Sequence, residues 1–172
     1  MRCYLLLVAF FSCSFLSLSA QHDIPPSDSF RVGGLIRPER VITLRAFDTL
    51  PQVAIPDLVI RNHRGELKDT LQGLKGVPFR EWMQRMPIPY EKPRDLNRIC
   101  LILRATDNYI VVLSWNEVFN TDAGKQMYLL TEIDHKPIAQ FPQRMAFIAA
   151  GDEQIGRRYV KGLASIEVLQ LP

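Results

Sequence analysis

The sequence predicts an α+β fold, mainly β, with mixed sheets and short inserted helices. Apolar runs rich in β-branched residues recur along the chain between turn signals, the pattern of short strands. One pair, RICLILRA and YIVVLS, is joined by TDN and reads as a hairpin. Helical signals are confined to a few short segments that open on Ser, Thr or Pro, so helices are additions to a sheet framework.

The first segment, MRCYLLLVAFFSCSFLSLSA, carries one charge at Arg2, then an apolar run, then small residues at Ser19 and Ala20. That order is a secretory leader. A spanning helix needs about 20 predominantly apolar residues, and this run is shorter and interrupted by Ser12, Ser14 and Ser17. Residues 1–20 are therefore expected to be cleaved after Ala20 or Ser19, and the mature chain to be periplasmic or secreted with no membrane span.

The mature chain of about 150 residues suits one core. Residues 21–29, with Pro25 and Pro26, read as an extended arm, and residues 30–172 as the domain. FRVGGLI (30–36) is a strand whose glycine pair allows a bend or a close backbone approach. ERVIT (39–43) is a second extended segment, leading to a short helix that Thr43 can cap and Pro51 stops. Residues 53–76 read as a hairpin or two sheet-edge segments around HRGE, with Pro56 at an edge or bulge. GVPFREWMQRMP opens a helix at Pro78 with Phe79, Trp82, Met83 and Met86 on its apolar face. Residues 87–97 hold Pro87, Pro89 and Pro93 and read as loop. After the hairpin, Ser114 and Glu117 have capping-box spacing at a helix start. MYLLTEI (127–133), RMAFIAA (144–150) and IEVLQL (166–171) are further strands, with DHKP a turn.

Composition narrows the function. Against 21 Lys and Arg stand 18 Asp and Glu, and Arg2 departs with the leader, so the charge is too balanced to argue for nucleic acid. Cys3 and Cys13 also lie in the leader. Cys100 alone remains, in the apolar run ICLILR, and is expected to be buried and inert. His22, His63 and His135 stand in separate polar stretches without ligand spacing, so no zinc site is expected. Neither a nucleophile elbow nor a phosphate loop occurs, and no catalytic or metal-binding residue is assigned. One cluster invites a ligand: Arg144, then Arg157, Arg158 and Lys161 among Gly151, Gly156 and Gly162. Guanidinium and ammonium groups beside flexible backbone suit a phosphate or carboxylate, although a charged surface loop has the same composition.

The order of FRVGGLI, ITLRAFDTLPQVAI, KGVPFREWMQRM, YIVVLSWNEVF, MYLLTEIDHKPIAQFPQRMAFIAAGD and GRRYVKGLASIEV resembles the molybdopterin-binding domain of the sulfite-oxidase type over about residues 30–170. The resemblance implies a mainly β fold and a pterin whose phosphate is met by basic side chains. It assigns Arg144 to the arginine of P-x-R and Lys161 to the lysine of V-K-W-L, with Arg157 and Arg158 in the loop between. It also implies a molybdenum-binding cysteine within residues 52–76, and none is there. Asn108 stands for the glycine of D-G-Y and Gly162 for the tryptophan of V-K-W-L. These departures lead to the expectation of a non-catalytic secreted protein of this fold. Its expected cofactor-binding residues are Arg144, Arg157 and Lys161, and its partner a pterin, another anionic small molecule or an envelope protein. The alternative is a molybdenum-cofactor-dependent oxidoreductase or a subunit of one.

Overall fold

A computed structural model describes residues 23–47, 49–62 and 64–172. The expected leader and its expected cleavage site, Gln21, and the histidines at 22 and 63 lie outside the described residues.

The strands β1 (Ser29–Gly34) and β2 (Arg40–Thr43) form an antiparallel pair. A short helix, α1 (Leu44–Phe47), follows and buries Phe47. The next stretch makes β3 (Val53–Ile55), β4 (Leu58–Arg61), β5 (Leu67–Leu71) and β6 (Leu74–Pro78). Pro56 has no N–H to give a ladder, and the apolar run 53–61 breaks there into two strands of different sheets. The helix α2 (Phe79–Met83) starts directly after Pro78 and buries Phe79, Trp82 and Met83.

β7 (Ile99–Ala105) and β8 (Ile110–Ser114) are the expected hairpin, and α3 (Trp115–Asn120) follows at once. The remaining strands are β9 (Met127–Ile133), β10 (Lys136–Pro137), β11 (Ala146–Ala149), β12 (Tyr159–Lys161) and β13 (Leu163–Gln170). Some details differ from the sequence reading, among them Lys136–Pro137, which pair with β9 inside the expected DHKP turn. Residues 93–98 close into a 3-10 turn rather than loop, because Asp95 accepts the Lys92 N–H at 2.8 Å. β12 was not foreseen, since its three residues are too few to establish alternation.

One sheet runs β2-β1-β13-β7-β8, with β1 and β13 parallel and its other neighbours antiparallel. The second runs β12-β11-β9-β6-β3, with β10 on β9, and β4-β5 forms a separate ribbon. Side chains alternate across a strand, which divides the apolar content of the second sheet between two cores. Leu129 of β9 and Phe147 of β11 face α2 and the first sheet, where Phe79 meets Phe147 edge-on at 5.0 Å and Phe30 meets Trp82 at 5.8 Å. Leu130 and Ile148 face the other way, against Leu58, Ile60 and Leu71 of the ribbon. Burial on both faces explains why MYLL and AFIA read as unbroken apolar runs.

Gly34 has a φ of 79°, and a Cβ there would lie 2.2 Å from the Val168 carbonyl oxygen. The close approach expected of the glycine pair is thus at its second member. Cys100 is buried in β7, as expected.

Candidate functional site: a basic cleft between the three sheets

A cleft of about 470 Å³ opens where the three sheets meet. The β4-β5 ribbon contributes Ile60, Arg61, Asn62, Lys68 and Asp69. The turn between β7 and β8 contributes Asp107 and Tyr109. The 3-10 turn Ile155–Arg158 and β12 contribute Gly156, Arg157, Tyr159 and Lys161, with Gln154 before them and Ile24 from the N-terminal arm. Cations therefore outnumber carboxylates on its walls.

Each wall is fixed by identifiable contacts. Asn108 takes a φ of 68°, a conformation that asparagine tolerates better than most residues, so the tight hairpin survives without glycine. The Asp107 carboxylate accepts the Tyr109 N–H at 2.9 Å, and the Tyr109 hydroxyl donates to the Arg157 carbonyl, tying the hairpin tip to the Arg157 turn. Gly156 lets that turn approach the ribbon, since a Cβ there would lie 3.2 Å from Ile60. The Lys161 ammonium sits 4.8 Å from the centre of the Tyr159 ring, a cation-π contact. Burial, then the Asp69 and Asp134 carboxylates, push the Tyr159 phenol far above its ordinary range, so it remains a neutral group at physiological pH.

Arg157 and Lys161 line this cleft together. Arg144 does not line it. Two residues before β11, Arg144 has a φ of 58° and its guanidinium is paired with Asp28 of the arm. Arg158 turns away from the cleft: Asp152 accepts from two of its nitrogens and Glu117 from a third. Those carboxylates hold the guanidinium protonated even more firmly than usual. Sequence reasoning missed Arg61, Lys68, Tyr109 and Tyr159. The signal available for the first two was their position on either side of the HRGE turn, at the turn end of a predicted hairpin.

The fold itself has a solved counterpart. It is similar to the sulfane dehydrogenase SoxCD from Paracoccus pantotrophus, with a TM-score of 0.59 and 12% identity over 82% of this chain and 38% of that chain. The fold is sulfite-oxidase-like. This chain spans well under half the length of that structure, and at such identity the likeness concerns architecture. No protein-family model matches the chain, and no curated protein matches it in sequence.

The donors of the cleft test what the fold implies. They are the guanidinium, ammonium, phenol and amide groups of Arg61, Arg157, Lys68, Lys161, Tyr109, Tyr159, Asn62 and Gln154, which suit an anion and outweigh the two carboxylates Asp69 and Asp107. Cys100 is buried in β7, paired across the ladder with Ser114, and does not line the cleft. Among the described residues no three His, Cys, Asp or Glu side chains are grouped to hold a metal ion. The lining thus offers donors for an anionic group and no thiolate for a metal.

Proposed function

We propose that this is a secreted, non-catalytic protein of sulfite-oxidase-like fold that binds an anionic small molecule, a phosphorylated pterin or a ligand of similar chemistry, in the basic cleft. One observation carries the proposal: Arg157 and Lys161 share a cleft with Arg61 and Lys68, which come from residues 52–76. By the sequence resemblance, that segment holds the metal in the enzymes and the later one meets the phosphate. Here both segments offer cations to the same space, and the thiolate is missing from the first.

Each hydrogen bond from a cation to a phosphate is worth roughly 1.5 to 3 kcal/mol. Two or three converging donors are enough for measurable binding, with the exposed Tyr109 ring available to a flat heterocycle. Calorimetric titration with a phosphorylated pterin and with inorganic phosphate tests this. Saturable binding that weakens with salt is expected, and Arg157→Ala with Lys161→Ala should weaken it at least about tenfold at unchanged melting temperature. Equal binding by that double variant, or none by the parent protein, overturns the proposal.

A further inference from the structure

Arg144 is the basic residue that the sequence assigned to the ligand and that the fold directs elsewhere, and its partner explains why. Asp28 belongs to the N-terminal arm, and the arm is attached at several points between Ile24 and Asp28. Ser27 is buried and bridges in parallel to Arg144, donating its N–H to the Gln143 carbonyl at 3.1 Å and accepting the Met145 N–H at 3.3 Å. Further out, the Thr106 hydroxyl donates to the Pro25 carbonyl at 2.6 Å. Gly162, with a φ of 66°, admits the arm: a Cβ there would lie 2.9 Å from the Pro25 oxygen and 3.1 Å from Ile24 Cγ2. The bulky residue that the sequence resemblance expects at 162 would occupy the space the arm takes. At the end of this series of contacts Ile24 lines the cleft.

From these contacts, and resting on the anion-binding reading above, we infer that the arm is a built wall of the cleft and that Arg144 is a positioning residue acting through Asp28. The cations supply affinity for the anionic end of a ligand. Ile24 adds apolar surface beside Tyr109 and Tyr159, so the arm selects ligands that carry a flat apolar group as well as a charge. Inorganic phosphate needs only the cations. A phosphorylated aromatic heterocycle needs the arm as well.

The test separates the two contributions. Arg144→Ala, Asp28→Ala and Thr106→Val are each titrated with inorganic phosphate and with a phosphorylated pterin. In all three, affinity for the pterin should fall at least about tenfold while affinity for phosphate is unchanged, and the exchanged pair Asp28→Arg with Arg144→Asp should recover much of the loss. Equal losses for both ligands would make Arg144 a direct anion contact and overturn the inference, as would no loss for either. A second readout does not depend on any ligand. With a fluorophore on Asp23→Cys, the anisotropy should fall when Arg144→Ala is added, because the arm is released. Unchanged anisotropy overturns the inference even in a protein that binds anions. If the parent protein binds neither probe but the anisotropy falls, the arm is held as inferred and the anion-binding proposal alone fails.

Discussion

The Arg158 guanidinium is held by the Asp152 carboxylate through two nitrogens and by Glu117 through a third, with about a fifth of its side chain exposed. Glu117 lies in α3 and Asp152 in the loop after β11, so one side chain ties a helix to the turn that carries Arg157. Arg158→Ala would leave two carboxylates without their cation. It should cost about 2 kcal/mol, between the limits for exposed and for buried pairs, in denaturant unfolding. Arg158→Lys should restore only part of this, because an ammonium lacks the planar fork. Tyr159 gives a prediction in the alkaline range. Its folded-state pKa is raised above the ordinary 10.0, first by burial and then by Asp69 and Asp134. The unfolded chain therefore loses this proton first as pH rises, so stability is undiminished below that value and declines above it. Denaturant unfolding at about pH 9 and about pH 11 should show a steeper loss for the parent protein than for Tyr159→Phe. Tyr128, whose phenol is also raised, chiefly by burial, is common to both proteins and cancels. Equal slopes would mean that Tyr159 ionises as freely folded as unfolded.

At the scale of the element, the start of α3 was legible to the residue. The Ser114 hydroxyl accepts the Glu117 N–H at 3.0 Å, as the S-x-x-E spacing predicts. Only half of the capping box forms, because the Glu117 carboxylate is taken by Arg158, a partner 41 residues away that no local pattern reveals. Ser114→Ala should destabilise the protein by about 1 kcal/mol, the usual value of such a cap, measurable as a lower denaturation midpoint at unchanged slope. Gly34→Ala should be far more damaging than a surface substitution, because the new methyl would meet the Val168 carbonyl and the positive φ is unfavourable for alanine. Loss of soluble expression or a sharply lowered melting temperature would register it. Strands such as β9, seven mostly apolar residues bounded by turn signals, could be read from composition. β4 and β12 could not be assigned correctly. Pro56 separates β4 from β3 while the apolar text runs on, and the pairing of β12 with β11 is a tertiary fact.

At the scale of the whole molecule, the collinear order of motifs led to the sulfite-oxidase-like architecture, while the membership of the cleft required the fold. Arg157 and Lys161 could be nominated because they lie close together in sequence. Arg61 and Lys68 come from the far side of the chain, and the meeting of the ribbon with the β12 turn is set by the packing of Leu58, Ile60 and Leu71 on the second sheet. That packing also decides the last prediction. Residues 52–76, the segment from which the resemblance expects a thiolate, are committed here to strands that present Arg61, Asn62, Lys68 and Asp69 to the cleft. Cys100 is fixed in the ladder of the first sheet between β13 and β8 and cannot reach the cleft without unpairing β7. The thiolate that the resemblance expects from the protein is missing from this segment, so protein purified from a host that makes the molybdenum cofactor should carry less than about a tenth of an equivalent of molybdenum. Elemental analysis with parallel pterin fluorescence checks this. Pterin without metal would match the cleft as its donors describe it. Molybdenum approaching one equivalent per chain would mean that a ligand other than cysteine holds it, and would make the chain an oxidoreductase candidate.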